Sequence, residues 1–283
     1  MNKIVYRFLI ILLLVFSFYY TNKMIEFLKE KDPIMKDIRN TEKKYKVNSV
    51  NALIIDNNII PGKKGKDIDY KKSYSKMKQY GTYNEALTIL KDVKPVISID
   101  DNYDKYIISG NKEKRSIALV FKVYKDTNID NVLNILNKSK VKANFFIDGT
   151  YLENNILKLR SMENHELEIL SYDNSYDKSL FKTSISYLEN ITGKKTKYCI
   201  KDKKNNVLNL CSKLKLHTIN PTICINNNLY KTIKNNLDNS IIINIEINNY
   251  NEKELSSTIN YIQEKGYKIE LLKDLLSENN IEI

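Results

Sequence analysis

Histidine is scarce in this 283-residue sequence, which contains only His165 and His217. A metal site built from two imidazoles and one carboxylate would therefore have to use both of them. The three cysteines, Cys199, Cys211 and Cys224, lack the spacing of a metal-binding motif, and an odd count leaves at least one outside any intramolecular disulfide. Two of the cysteines fall on apolar faces, so we expect buried free thiols.

Glycine and proline are also few, at 7 and 4 residues, while 42% of the chain is hydrophobic. This composition is typical of a globular protein and excludes a largely disordered one. The length is sufficient for one large domain and a smaller accessory region.

The net charge of +12 is unevenly distributed, because residues 1–116 hold 23 basic and 14 acidic side chains. A basic segment beside a membrane suits anionic partners such as lipid headgroups or acidic wall polymers. A solvated, lysine-rich surface is the plainer explanation. If the chain is exported, we expect no nucleic acid partner.

An apolar run over residues 8–20, broken only by Ser17, follows Lys3 and Arg7. Counted over residues 4–25, the run approaches the roughly 20 residues that a membrane span needs. No small residues of a cleavage site follow it. We expect residues 1–25 to be a signal anchor that leaves a single-pass protein with its C-terminal domain outside the cell membrane. A cleaved signal peptide and a secreted protein are the alternative.

Residues 26–49 are charged and compatible with a helical stalk that breaks at Asp32-Pro33. Residues 50–115 are predicted to form a small accessory α/β region, with short strands at 52–55, 58–60, 96–99 and 106–108 and a helix over 70–80. The aromatic and basic side chains of that helix could form a ligand-binding face. Alternatively, the helix is half-buried and its lysine side is solvated. These side chains are Tyr70, Lys71, Lys72, Tyr74, Lys76, Lys78 and Tyr80.

From residue 116 onward, short apolar runs alternate with segments of helical period. The runs lie at 116–121, 143–147, 167–170, 198–200, 219–225, 240–243 and 267–271. This order predicts an α/β fold for residues 116–283, a distorted parallel (β/α)7-type barrel, with an open doubly wound sheet as the alternative. The Asn- and Lys-rich tracts at 201–206 and 226–236 are predicted to be loops and helix ends.

Five of these segments, at 116–121, 141–149, 164–169, 192–198 and 262–272, follow one another in an order that resembles the polysaccharide deacetylase (NodB-homology, carbohydrate esterase) domain. The resemblance covers residues 116 to about 277. It implies a distorted barrel that acts on N-acetylated glycans such as peptidoglycan or chitin-like polymers by means of a divalent metal.

The catalytic motifs of that family are degenerate in this chain. The resemblance requires a carboxylate and two imidazoles for the metal and a second carboxylate as general base. Lys122 stands at the position of the base and Val123 at that of the metal carboxylate, while Leu170 and Asn174 replace the two imidazoles. Ile245 stands where the family has a further histidine. We therefore expect no catalytic residues and no bound metal.

Two groups of side chains offer other roles. Lys194, Lys195, Lys197, Lys201, Lys203 and Lys204 match the substrate-facing region, where they are candidates for binding an anionic polymer or belong to a solvated loop. Asp126, Asp148, Asp173 and Glu246 follow predicted strands and could form an oxygen-rich cation site. His165 and His217 are expected to have structural roles, in packing or in a hydrogen bond to backbone.

The sequence thus favours a membrane-anchored, catalytically inactive relative of the deacetylases that binds cell-wall glycan or an anionic wall polymer, or acts as a scaffold. Two alternatives remain open. One is an active hydrolase that removes N-acetyl groups with relocated residues such as Asp126 or Asp173, for which zinc would be the expected cofactor. The other is a structural partner in a membrane complex.

Overall fold

The computed structural model describes residues 3–202, 207–247 and 252–279. In chain order, its helices and strands are α1 (Lys3–Lys31), α2 (Pro33–Asn40), α3 (Glu42–Tyr45), β1 (Leu53–Ile55), β2 (Asn58–Ile60), β3 (Gly65–Ile68), α4 (Tyr70–Tyr80), β4 (Leu90–Val93), β5 (Tyr106–Ile107), β6 (Ser116–Val123), α5 (Asp130–Lys138), β7 (Asn144–Ile147), α6 (Gly149–Asn154), α7 (Ile156–Ser161), β8 (Glu166–Ile169), α8 (Lys178–Thr192), β9 (Tyr198–Ile200), α9 (Val207–Lys213), β10 (His217–Ile219), β11 (Ile223–Ile225), α10 (Leu229–Asn236), β12 (Ile242–Ile245), α11 (Glu252–Glu264), β13 (Lys268–Ile269) and α12 (Leu272–Leu275). Two short 3-10 helices lie at Glu85–Leu87 and Ile99–Asp101.

The chain divides into two compact units. The smaller unit comprises residues 1–49 and 64–94, and the larger unit comprises residues 50–63 and 95–283. This division differs from the boundaries predicted from the sequence. Residues 50–63 and 95–115, assigned above to an accessory region, lie in the larger unit because β1, β2 and β5 pair into one of its sheets.

The first helix of the smaller unit is long and apolar. Within Val5–Lys31 of α1, an 18-residue window has a mean hydropathy of 1.8 and no buried residue, so this helix is a candidate membrane span by length and composition. Asp32 ends α1 and caps α2, since its carboxylate accepts a hydrogen bond from the Ile34 amide at 3.0 Å. Pro33 occupies the first position of α2, so the break predicted at Asp32-Pro33 is confirmed.

Helix α4 confirms the helix predicted over 70–80. Asp69 caps its start, and Gly81, with a φ of 98°, ends it in the left-handed conformation. The helix buries Ser73, Tyr74 and Met77 against α2 and β3. Because Tyr74 packs into this core, the seven side chains of the helix do not form one common ligand face.

Two largely parallel sheets form the larger unit. The first has the strand order β11-β12-β6-β7-β8, all parallel, and β13 also pairs with β6. The second has the order β1-β2-β5-β10-β9, in which only β1 and β2 pair in antiparallel fashion. These sheets confirm the α/β class predicted from the sequence.

Alternate residues of β6 face two different apolar layers, as the period of a strand requires. Ala118 and Val120 pack in an inner cluster with residues of the second sheet, including Ile107 and Ile219. Residues 117, 119, 121 and 123 pack in an outer cluster that also contains buried side chains of the surrounding helices. The inner cluster is thus the filled interior of a barrel-like arrangement.

The barrel is not closed by backbone pairing alone. Strands β8 and β9 are neighbours, but in the described part of the chain they belong to different sheets. A carboxylate oxygen of the buried Glu168 spans the seam, accepting hydrogen bonds from the amides of Lys197 at 2.9 Å and Tyr198 at 3.1 Å. Complete burial raises the pKa of Glu168 well above its ordinary value, and the nearby Glu166 carboxylate adds to this.

Three expectations from the sequence were wrong. The segment predicted as a strand at 96–99 is instead irregular, with Val96 and Ile97 exposed and Ser98 and Ile99 buried. It leads into a 3-10 helix, where Ser98 Oγ accepts a hydrogen bond from the Asp100 amide. Most of the tract at 226–236 is helix α10, because Leu229 and Ile233 are buried one turn apart. Residues 203–206 of the other Asn- and Lys-rich tract lie outside the described residues.

The third correction concerns cysteine. Cys199 of β9 and Cys211 of α9 form a disulfide with their Cα atoms 6.4 Å apart, so they are not free thiols. Both are buried, as predicted. Cys224 is free but exposed.

Candidate functional site

The candidate site lies at the C-terminal ends of β6, β7, β8, β9 and β12, where parallel α/β folds place their reactive groups. At the end of β6, Lys122 is half-buried, and its ammonium donates a hydrogen bond to the Lys201 carbonyl at 3.2 Å. Val123 is fully buried in the outer apolar cluster. The first strand thus brings a cation and an aliphatic side chain to positions where the resemblance implies two carboxylates.

The remaining catalytic positions are equally unsuited to bind a metal. Leu170 is 2% exposed in the inner cluster, and Ile245 is 1% exposed in the outer cluster. Asn174 lies in an exposed turn with a φ of 57°, and its amide donates a hydrogen bond to Asp148 Oδ2 at 3.3 Å. An aliphatic side chain has no electron pair to donate, so Leu170 and Ile245 cannot ligate the divalent metal that the resemblance implies, and Asn174 offers only an amide oxygen in place of an imidazole.

Asp148, directly after β7, has a structural role instead. Its buried carboxylate caps α6 through the amide and hydroxyl of Thr150, at 3.0 and 2.6 Å. It also accepts hydrogen bonds from the Ser171 hydroxyl and from the amides of Asp173 and Asn174. Burial alone would raise its pKa, but these donors together hold the pKa below its ordinary value.

The other acids predicted from the sequence do not gather around Asp148 into a cation site. Asp126 and Asp173 are exposed. No group of three or more histidine, cysteine, aspartate or glutamate side chains suited to a metal ion occurs within residues 3–202, 207–247 and 252–279.

Both histidines lie at the opposite edge of the sheets. His165 immediately precedes β8, where its Nδ1 accepts a hydrogen bond from the Ala143 amide at 3.1 Å. His217 is the first residue of β10 and stacks on Tyr103, with ring centroids 4.4 Å apart. Burial lowers the pKa of both imidazoles. The structural roles expected for them are confirmed, and neither can be recruited to the C-terminal edge.

A polar cluster at this edge, called here the mouth cluster, consists of Tyr124, Tyr176, Asp202 and Glu246. The sequence did not single these four residues out together. Tyr176 donates a hydrogen bond to Asp202 Oδ2 at 3.1 Å. Burial, followed by the charges of Glu246 and Asp202, raises the pKa of Tyr124 to about 12. These groups provide neutral hydroxyls and carboxylates but no imidazole.

The sequence comparison matches residues 109–238 to the polysaccharide deacetylase family. This matched segment covers slightly less than half of the chain. A curated relative, the uncharacterised protein YlxY of Bacillus subtilis, is 24% identical over 273 residues, which cover 89% of this chain and 86% of the relative. The resemblance noted from the sequence is thereby confirmed.

Solved structures share the fold of the deacetylase domain. A carbohydrate esterase family 4 pseudoenzyme from Bacillus anthracis is 20% identical with a TM-score of 0.64, over 89% of this chain and 97% of that one. A mutant of the same pseudoenzyme, with restored enzymatic activity, has the same TM-score. The family 4 carbohydrate esterase PdaA of Bacillus subtilis is 18% identical with a TM-score of 0.54, over 62% of this chain and 86% of that one.

Of the six lysines proposed for binding, the four that the structure describes do not form one surface. Lys194, Lys195 and Lys197 precede β9 and so lie at the N-terminal edge, where the Lys194 ammonium donates a hydrogen bond to the Glu163 carbonyl at 2.6 Å. Lys201 follows β9 and lies at the C-terminal edge, with its ammonium 5.0 Å from the centre of the Tyr106 ring. Lys203 and Lys204 fall outside the described residues. Strand β9, which the sequence predicts at 198–200, separates the two groups of lysines.

Proposed function

We propose that this chain is a membrane-anchored, non-catalytic member of the deacetylase family that binds cell-wall glycan. The observation that carries the proposal is the burial of Val123, Leu170 and Ile245 in apolar clusters at three positions where the family places metal-binding or catalytic side chains. Buried aliphatic side chains at these points preserve the fold while they remove the ligands that the chemistry needs.

The mouth cluster supports a neutral glycan as the ligand. Tyrosine rings stack on apolar faces, and hydroxyls with carboxylates form hydrogen bonds to the hydroxyl and acetamide groups of sugars. Asp148, Asp202 and Glu246 bring negative charge close to Tyr124 and Tyr176. An anionic polymer is therefore disfavoured at this edge, and a neutral, N-acetylated polysaccharide is favoured.

An extracytoplasmic location is supported by two features. Helix α1 is long and apolar enough to anchor the chain, with Lys3 and Arg7 on its N-terminal side. The Cys199–Cys211 disulfide is typical of proteins in an oxidising compartment outside the cytoplasm.

Sedimentation of the full-length protein with purified, insoluble peptidoglycan tests this function. Removing the two mouth hydroxyls with Tyr124→Phe and Tyr176→Phe should weaken binding about fivefold for each hydroxyl that contacts the glycan. The matched control, Tyr230→Phe on α10, should bind like the wild type. Binding that is absent in the wild type, or identical in all variants, would contradict the proposal.

The hydrolase alternative requires a metal or a base from relocated residues such as Asp126 or Asp173. Both are exposed, and both histidines lie at the far edge of the sheets. No specific contact of the described residues favours this alternative, so the non-catalytic function is preferred.

A further inference from the structure

Most of the positive charge of the chain belongs to the smaller unit. Residues 1–49 and 64–94 hold 18 basic and 9 acidic side chains, a net charge of +9 out of +12 for the whole sequence. Only two of the basic residues, Lys3 and Arg7, precede the apolar run. The excess charge therefore lies in the part of the smaller unit that follows the candidate span.

Helix α4 concentrates this charge on one side. Tyr74 and Met77 face the core, while Lys71, Lys72 and Lys76 are exposed. Lys71 and Lys76 have no ion-pair partner among the described residues. Lys72 forms an exposed ion pair, with its Nζ 3.4 Å from Asp69 Oδ2. A helix with a buried apolar side and an exposed basic side is typical of proteins that lie on anionic surfaces.

The membrane anchoring proposed above sets where the bilayer surface would lie along α1. A span of about 20 residues that starts at Val5 ends near Met24. Tyr19 and Tyr20, just before that point, are exposed and suit the headgroup level of a bilayer. Beyond it, Ile25 and Phe27 of α1 remain exposed apolar side chains.

A groove of about 1100 Å³ lies within the smaller unit at the same level. Its walls are residues 22–30 of α1, Met35 of α2 and one side of α4. Ile25, Phe27 and Met35 supply apolar lining. The charged lining is positive on balance, because it contains four lysines, at positions 23, 29, 71 and 78, and two glutamates, Glu26 and Glu30. Apolar walls rimmed by ammonium groups complement a phospholipid that has an anionic headgroup and acyl chains.

We propose that α4 and the groove between α1 and α4 dock on anionic phospholipids of the membrane that α1 spans. The docking site thus consists of the exposed Lys71, Lys72 and Lys76 of α4 together with the groove that Lys71 lines. This inference rests on the membrane anchoring proposed above and adds a second, lipid-dependent contact. Its consequence is that the smaller unit lies flat on the bilayer instead of acting as a free stalk.

Lysine footprinting of the full chain in lipid nanodiscs tests the docking. The protein is reconstituted in discs of phosphatidylcholine alone and in discs that also contain phosphatidylglycerol, acetylated briefly and analysed by mass spectrometry. Labelling of Lys71, Lys72 and Lys76 should fall about fivefold in the anionic discs, the factor that corresponds to about 1 kcal/mol per lysine near such a surface. The protection should vanish near 1 M salt, where the screening length is only about 3 Å.

Controls come from the same molecule. Lys231 and Lys234, exposed on α10 of the larger unit, should label equally in both kinds of disc. In the variant Lys71→Gln/Lys72→Gln/Lys76→Gln, protection of Lys29 in the groove should drop from about fivefold to below about twofold. The variant Lys231→Gln/Lys234→Gln should leave the protection of Lys29 unchanged.

The possible failures are distinguishable. A chain that does not co-elute with nanodiscs would overturn the anchoring itself. A chain that co-elutes but labels equally in both kinds of disc would overturn the docking alone. Protection that appears only when a soluble poly(glycerol phosphate) is added would assign the basic surface to a wall polymer and also overturn the lipid contact.

Discussion

Val123 stands where the family resemblance implies a carboxylate ligand of the metal. The side chain is fully buried in the outer cluster, among apolar neighbours such as Phe121 and Ile147. A carboxylate at this position would lose its hydration without gaining a cation. The position has therefore become part of the core.

Substituting Val123 tests this directly. Val123→Asp should destabilise the protein by more than about 3 kcal/mol, because an unpaired charge becomes buried. The control Val123→Ala should cost about 2 kcal/mol from the lost apolar contacts. Chemical denaturation in detergent measures both, and a Val123→Asp protein as stable as Val123→Ala would show that the position faces the solvent of the mouth.

Glu166 predicts a dependence of stability on pH. Burial raises the pKa of Glu166 from 4.5 to about 7. The hydrogen bond that its carboxylate accepts from the Lys273 amide at 3.1 Å acts in the opposite direction, but its effect is smaller. Between pH 4.5 and 7 the unfolded chain ionises this group while the folded chain keeps it protonated. The native state therefore loses stability as the pH rises through this window.

Glu166→Gln should remove that loss, since an amide keeps the acceptor and never ionises. Relative to the wild type, the variant should gain about 2 kcal/mol above pH 7, after allowance for partial exposure, and nothing below pH 4. Unfolding free energies measured across this pH range give the difference. The exposed Glu163→Gln serves as control, and a pH-independent gain for Glu166→Gln would contradict the account.

Individual residues differ in how far the sequence alone predicts their environment. Lys122, Val123 and Leu170 could be found by counting along motifs, because the strands that carry them were correctly located. The burial of Glu166 and Glu168 could not, because alternation of acidic and apolar residues ordinarily indicates a strand with one solvated face. Here both faces of β8 are covered, and the acids point to the interior.

At the scale of elements, Asp148 holds the end of β7, the start of α6 and the turn after β8 together. Its pKa is lowered, so its stabilising effect is present near neutral pH and is lost only as the pH falls below the ordinary range of aspartate. This explains an acid at the C-terminal edge without any catalytic role.

Two helix caps provide a matched comparison. Asp148→Ala removes the cap of α6 and leaves buried donors without partners, so we expect a loss of about 3 kcal/mol or more. Asp177→Ala removes the exposed cap of α8, whose donors can turn to water, and should cost about 1 kcal/mol. Denaturation midpoints and slopes measure both losses, and equal losses would contradict the structural role of Asp148.

Elements with strong apolar periodicity were predictable, and those defined by tertiary contacts were not. Strand β9 and helix α4 were placed at their observed bounds, since each is delimited by polar or turn residues. Helix α10 was missed because Asn and Lys dominate it, and only Leu229 and Ile233 reveal its buried side. The pairing of β5 with β10 joins segments more than 100 residues apart, which local patterns cannot show.

At the scale of the whole molecule, the chain shares the fold of a solved family 4 carbohydrate esterase relative, while buried Val123 and Leu170 occupy positions where the family resemblance implies metal ligands. The framework survives because the alternating apolar pattern of the strands specifies it independently of the residues at their ends. The net positive charge is unevenly divided between the two units, because most of it lies in the smaller unit and the larger unit is nearly balanced. The proposed glycan binding and the proposed membrane contact thus belong to different parts of the sequence.

The most direct test of the central claim is acetate release from N-acetylated peptidoglycan fragments by the full-length protein, measured together with its bound metal. Samples are supplied with zinc, cobalt or nickel, and an active deacetylase runs in parallel. We predict no acetate above the buffer blank and no stoichiometric metal, although the protein sediments with peptidoglycan. Acetate release that a chelator abolishes and added metal restores would contradict the account.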